Sequence, residues 1–167
     1  MPNIRILIST IAFLIVFNAC TDGSSELSNT HKNLVEGYEF TDWHGNPVAV
    51  ADFRGSVVVL DFWESWCGPC LSAFPGFQQA LDEYPDELVV IAATVGWQEG
   101  REEALNFKEK KDYDFIFVDG SELSSQLGFQ GIPYKIILDR EGNIESVQTG
   151  SPGADREYEQ LVEKINQ

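Results

Sequence analysis

The stretch that decides the fold is VVVLDFWESWCGPC, residues 57–70. Its first half, 57–63, is a continuous apolar run rich in β-branched residues, which predicts a strand buried on both faces. Its second half places two cysteines three positions apart, and residues 68–84 that follow carry apolar side chains at helical spacing. We therefore expect a buried strand that leads into a cysteine pair at the start of a helix.

The pair Cys67 and Cys70 is typical of a redox-active dithiol. Disulfide exchange needs a thiolate, and the free N–H groups and positive dipole end of a helix lower the pKa of a cysteine placed there. Cys67 would occupy that position and be exposed, and Cys70, about one turn later, could form a disulfide with it. Pro69 suits the first turn of a helix, and Gly68 keeps the turn open.

Two other interpretations of the cysteine pair remain open. Such a pair can be half of a zinc site, but no second pair follows, and His31 and His44 fall in a predicted tether and a predicted turn. A purely structural disulfide across so short a loop would remove little chain entropy. We expect no metal site, and no cofactor besides the disulfide itself.

The remaining pattern alternates strands with helices and ends in a hairpin and a helix, which indicates an α/β fold with a mixed sheet. Residues 38–41 and 47–50 predict an additional N-terminal β-hairpin, turned at Gly45 and Asn46. We predict further strands at 88–95, 115–118, 134–138 and 143–149, and helices at 68–84, 99–111, 121–127 and 155–165.

The N-terminus reads as a targeting segment. A short positive region ends at Arg5, and an apolar stretch over 6–17 is too short to span a bilayer comfortably. It ends in Ala19-Cys20, which resembles a bacterial lipobox, so we predict a signal peptide over 1–20 with lipidation at Cys20. A plain cleaved signal and an uncleaved anchor are the alternatives. Polar residues 21–36 predict a flexible tether, and one domain would occupy 37–167.

Composition excludes some partners. Hydrophobic residues make up 43% of the chain, enough for a packed core, and the formal net charge is −16. Such an acidic chain repels nucleic acid and anionic membrane surfaces, so no nucleic-acid partner is expected.

Several motifs together resemble a known family. The segment 61–70 resembles the active site of thioredoxins, and the approach from Tyr38 through Phe53-Arg54-Gly55 resembles the TlpA-like family of membrane-tethered bacterial thiol–disulfide oxidoreductases. Gly131-Ile132-Pro133-Tyr134, with the apolar run after it, is similar to the segment around the family's cis-proline. The resemblance covers nearly all of 37–167 and implies a thioredoxin fold, with a central mixed sheet flanked by helices.

The resemblance also implies roles for individual residues. Cys67 would be the attacking thiol and Cys70 the resolving one, with Trp66, Gly68 and Pro69 beside them contacting substrate. Pro133 would be the cis-proline facing the disulfide. The backbone of Ile132 would then pair with an extended substrate.

Asp61 matches the buried acid of thioredoxins. A carboxyl in an apolar strand should have a raised pKa, and it could accept the proton that Cys70 loses when it attacks the mixed disulfide. TlpA-like proteins often have a buried Glu three residues after the second cysteine, where this chain has Ala73. Trp97, after the second buried strand, could line a substrate groove.

The resemblance implies reduction of protein disulfides on the periplasmic side of the bacterial cell envelope, by a lipid-anchored protein. A membrane thiol–disulfide electron donor would re-reduce the cysteine pair. The Gly-Pro dipeptide is that of thioredoxin, whose potential is about −270 mV. A disulfide oxidase or isomerase, or a non-enzymatic metal- or thiol-binding module on the same fold, is the alternative.

Overall fold

Seven strands and five α-helices form the part of the chain that the computed structural model describes, residues 28–167. The strands are β1 (Glu39–Thr41), β2 (Pro47–Ala49), β3 (Val57–Trp63), β4 (Leu88–Thr94), β5 (Ile116–Asp119), β6 (Tyr134–Leu138) and β7 (Ile144–Thr149). The helices are α1 (Asn29–Glu36), α2 (Gly68–Glu83), α3 (Arg101–Lys110), α4 (Ser121–Leu127) and α5 (Ala154–Ile165).

Strands β3 to β7 form one mixed sheet in the order β5-β4-β3-β6-β7. Strand β3 lies at its centre, parallel to β4 and antiparallel to β6, and all of its residues are buried. The parallel neighbours are connected through helices, whereas β6 and β7 are joined by a tight turn in which Gly142 has a φ of 85°. The thioredoxin fold, its mixed sheet and the doubly buried strand are confirmed.

Helices cover both faces of the sheet. On one face α2, α3 and α5 enclose an aromatic cluster around Trp63, Phe74 and Phe117. On the other face α4 packs together with the N-terminal segment, whose Phe40 is 1% exposed. The β1–β2 hairpin forms a separate two-stranded sheet and confirms the predicted N-terminal addition.

Helices α2 and α5 approach each other closely at Gly76. A Cβ at this position would lie 2.9 Å from the carbonyl carbon of Ala154, and closer still to its oxygen. Because no other residue lacks a Cβ, glycine is required for this contact.

The predicted tether is corrected at its C-terminal part. Residues 29–36 are the helix α1, which Ser28 caps by accepting a hydrogen bond from the His31 N–H at 3.3 Å. The sequence of α1 is mostly polar, but its Val35 is fully buried against the domain. The predicted signal peptide, the rest of the tether and Cys20 lie outside the described residues. Among the described helices, none combines the length and apolar character needed to cross a bilayer.

Candidate active site

Cys67 and Cys70 form a disulfide at the N-terminus of α2, with 5.3 Å between their Cα atoms. Cys67 is the N-cap residue, and its sulfur accepts a hydrogen bond from the Cys70 backbone N–H at 3.2 Å. The positive end of the helix dipole is therefore directed at the Cys67 sulfur, where it would stabilise a thiolate. This confirms the predicted placement of the pair.

The expectation that Cys67 is exposed is wrong for the disulfide form. Cys67 is 3% exposed and Cys70 is completely buried. The sulfur of Cys67 is bonded to a buried partner, so its side chain turns toward the core. Trp66, Gly68 and Pro69 are exposed around it, and Cys67 remains the more accessible of the two cysteines.

The peptide bond between Ile132 and Pro133 is cis, as predicted. Strand β6 begins at the next residue, Tyr134, which lies opposite Phe62 near the end of β3. The cis-proline segment therefore reaches the same edge of the sheet as the loop that carries Cys67. Ile132 is only partly buried, so its backbone is close to the surface there.

Asp61 lies in the middle of β3 and is fully buried. Neither of its carboxyl oxygens makes a hydrogen bond within the described residues. Burial raises the pKa of Asp61 well above its usual value; the positive charge of Lys135 opposes this rise, and the negative charge of Glu157 adds to it. The predicted burial and raised pKa of this carboxyl are confirmed.

A buried ion pair that the sequence patterns did not predict lies beside Asp61. Lys135 of β6 is directly opposite Asp61 in the strand register, and its ammonium group pairs with Glu157 of α5. The two side chains are only 1% and 3% exposed. The available signal was a lysine inside the apolar strand YKIIL, because lysine is almost never fully buried unless it is paired.

A second buried carboxylate connects two loops at the active site. Glu64 accepts hydrogen bonds from the indole N–H of Trp66 and from the backbone N–H groups of Trp97 and Gln98. The bond from the Trp97 backbone is 2.5 Å long. Nearby, Glu99 accepts hydrogen bonds from the backbone and hydroxyl of Ser65. The loop after β4 is thus held against the active-site loop, a link between positions 33 residues apart that no local pattern indicates.

Two exposed tryptophans lie on the loops that Glu64 connects. Trp66 is 46% exposed and Trp97 is 44% exposed, and they are the large hydrophobic residues exposed in the described region. The Trp97 ring lies 6.0 Å from that of Phe129, which stacks on Tyr134, the residue after the cis-proline, at 4.2 Å. This arrangement links an apolar surface to the cis-proline segment and supports the groove hypothesis for Trp97.

The described region contains no cluster of side chains that could ligate a metal ion. Within residues 28–167 no group of three or more His, Cys, Asp and Glu side chains is placed to hold a metal ion. His31 lies in α1, and His44 lies in the turn between β1 and β2.

Comparisons with known proteins agree with this geometry. The thioredoxin-like protein YneN of Bacillus subtilis is 29% identical over 131 residues, covering 74% of this chain and 77% of YneN. The thiol-disulfide oxidoreductase ResA of Bacillus thuringiensis is 29% identical over 106 residues, covering 62% of this chain and 61% of ResA. The crystal structure of Etrx1, an exposed lipoprotein thioredoxin of Streptococcus pneumoniae, superposes with a TM-score of 0.61 at 26% identity, covering 75% of this chain and 98% of that one.

The family assignment rests on a match over most of the chain. Residues 21–147 match the model of the AhpC/TSA family. The relatives above are thioredoxin-like proteins and thiol-disulfide oxidoreductases by name. The chain belongs to the AhpC/TSA family, which is consistent with the resemblance of its motifs to the TlpA-like family.

Proposed function

We propose that this chain is an extracytoplasmic protein-disulfide reductase that works through the dithiol form of Cys67 and Cys70. The observation that carries the proposal is the disulfide at the N-terminus of α2, at the same sheet edge as a cis-proline. That combination supplies an activated thiol, a resolving thiol one turn away, and a backbone on which an extended substrate can lie.

The reaction takes two exchanges. In the reduced protein the Cys67 thiolate attacks a client disulfide, forming a mixed disulfide and releasing one client thiolate, which takes a proton from water. Cys70 then gives its thiol proton to Asp61 and attacks the Cys67 sulfur, so that the Cys67–Cys70 disulfide forms and the second client thiolate leaves. Two electrons pass from the dithiol to the client, and no bound cofactor is needed to carry them.

Substrate contacts follow from the exposed groups around the sulfur atoms. Trp66, Gly68 and Pro69 present an accessible surface beside Cys67. An extended client segment would pair with the backbone at Ile132 while Pro133 supplies no donor of its own. Trp97 would widen the apolar part of the same surface.

We further propose that lipid on Cys20 holds the protein on the periplasmic side of the bacterial cell envelope, where a membrane thiol–disulfide donor re-reduces it. The apolar stretch ending in Ala19-Cys20 supports this, as does the likeness to a thioredoxin described as an exposed lipoprotein. Cys20→Ala should abolish the lipid-dependent mass shift and release the protein from the membrane fraction. Unchanged fractionation would favour an uncleaved helix instead.

Insulin reduction tests the activity, with thiol variants as matched controls. The wild type should reduce insulin, Cys67→Ser should be inactive, and Cys70→Ser should accumulate the mixed disulfide. A redox titration of the pair against glutathione should give a potential near the thioredoxin value of about −270 mV. A potential near about −120 mV would indicate an oxidase, and bound metal without insulin reduction would indicate a metal-binding module.

A further inference from the structure

Three ionisable side chains meet in the core behind the disulfide. Asp61 and Lys135 are direct partners in the β3–β6 register, and paired residues of antiparallel strands project to the same face. Glu157, in the first part of α5, is ion-paired with the Lys135 ammonium on that face. Phe77 of α2 also lies there, with its ring centroid 5.7 Å from the lysine nitrogen.

Few other charges act on this cluster. The charged groups facing Asp61 are Lys135 from β6 and Glu157 from α5. On its other side β4 presents Ala92, and α2 contributes uncharged side chains such as Cys70 and Ala73 to the same core. Lys135 and Glu157 cancel each other, so ionisation of Asp61 adds one uncompensated negative charge to a site closed to water.

This inference rests on the proposed reductase function. We propose that Lys135 and Glu157 are positioning residues for the resolving step: Lys135 stabilises the carboxylate of Asp61, and Glu157 prevents the lysine from pairing with it completely. In that step the Cys70 thiol loses its proton to the Asp61 carboxylate, and the resulting thiolate attacks the Cys67 sulfur. Lys135 acts through its position beside Asp61 and transfers no proton in this step.

The two partners have opposite effects on the same carboxyl. Without Lys135, nothing offsets the cost of an Asp61 carboxylate in the apolar core, and Asp61 would stay protonated and unable to act as a base. Without Glu157, the flexible lysine side chain would be free to pair with Asp61 directly, and a carboxylate so stabilised would be a weak base. The pair therefore keeps Asp61 from being permanently protonated and also from being too weak a base to accept the proton of Cys70.

The test uses Lys135→Met and Glu157→Gln. In the oxidised protein, ¹³C NMR follows the titration of the Asp61 carboxyl. In a second measurement, the reduced protein is mixed with a client disulfide, and the lifetime of the mixed disulfide is measured as a function of pH. Lys135→Met should move both midpoints to higher pH and Glu157→Gln should move both to lower pH, each by about one pH unit, as expected for a single nearby charge. Shifts in the same direction, or no shift, would overturn the proposal.

Two controls keep the result interpretable. Lys164→Met and Glu145→Gln alter a second ion pair of α5, which is 2.6 Å long, joins α5 to β7 and is partly exposed, and they should move neither midpoint. If Lys135→Met does not fold because it leaves Glu157 unpaired, the double variant Lys135→Met/Glu157→Gln replaces it. That variant should titrate at higher pH than Glu157→Gln alone, and equal midpoints would overturn the role of Lys135.

The oxidised titration needs no client, so it separates two kinds of failure. Opposite midpoint shifts of Asp61 without insulin reduction would refute the reductase function and not the coupling among the three side chains. Insulin reduction with an unmoved Asp61 titration would refute the positioning roles alone.

Discussion

The stability of Asp61→Asn relative to the oxidised wild type should increase as pH rises. An aspartate in an unfolded chain has a pKa of about 3.9, whereas burial raises the pKa of Asp61 well above its usual value in the folded protein. Between these two values folding takes up a proton. The wild-type free energy of unfolding therefore falls with rising pH, by about 1.4 kcal/mol per pH unit from this residue.

The sign follows from the two protonation states. Below the unfolded pKa both states are protonated, and the native state keeps its full stability. As pH rises toward the folded pKa, only the unfolded state ionises, so stability is lost progressively, and above the folded pKa the loss is complete. Asparagine does not titrate, and the difference between variant and wild type isolates this contribution.

Urea unfolding at a series of pH values from about 4 to about 9 measures the difference in unfolding free energy. The test depends on the slope of this difference against pH, not on its absolute value. The amide introduced by Asp61→Asn would also lack hydrogen-bond partners in the core, and this costs about 1–3 kcal/mol at every pH. Asp112→Asn, at an exposed position, should give a nearly constant difference. A constant difference for Asp61→Asn as well would refute the reasoning.

Three other contacts described above lead to predictions of their own. Gly76→Ala should destabilise the protein by about 1–3 kcal/mol in urea unfolding, because the new Cβ would collide with the backbone of Ala154. Glu64→Gln should speed amide hydrogen exchange at Trp97 by about tenfold, because a neutral acceptor binds the loop's N–H groups less strongly than a carboxylate does. Alkylation of the reduced protein at neutral pH should label Cys67 first, as peptide mapping would show, because it lies at the positive end of α2.

Each of these has a distinct contradicting result. Gly68→Ala, in the same helix with no atom within 4 Å of the added Cβ, should not show the packing loss, and an equal loss would rule out the collision as the cause. Unchanged exchange at Trp97 would mean that Glu64 does not hold the loop. Labelling of Cys70 before Cys67 would reverse the roles of the two thiols.

Features with a local signal could be predicted from the sequence. The apolar run of β3 and the cysteines at a helix start depend on residues adjacent in the chain, and the structure agrees with both. The cis peptide at Pro133 was predicted from the family resemblance of the segment around it, and the structure agrees with that as well. Helix α1 was missed because its one deeply buried side chain, Val35, is too little apolar surface to reveal an amphipathic pattern.

The polar contacts around the site could not be predicted, for a different reason. Lys135 and Glu157 are 22 residues apart, and Glu64 and Trp97 are 33 apart. Each pair depends on which strands become neighbours and which helix covers them, and hydrophobic periodicity says nothing of that. An isolated lysine or glutamate near an apolar run indicates only that a partner is needed.

The start of helix α1 also limits the distance between the domain and a lipid anchor at Cys20. If Cys20 carries the lipid as proposed, eight residues lie between it and Asn29, where α1 begins, and a chain of eight residues spans at most about 30 Å. A chain free as far as residue 37 would have reached about twice that distance. So short a connecting segment would keep the catalytic domain within roughly one domain diameter of the bilayer. Client disulfides would then have to lie close to the membrane to be reduced.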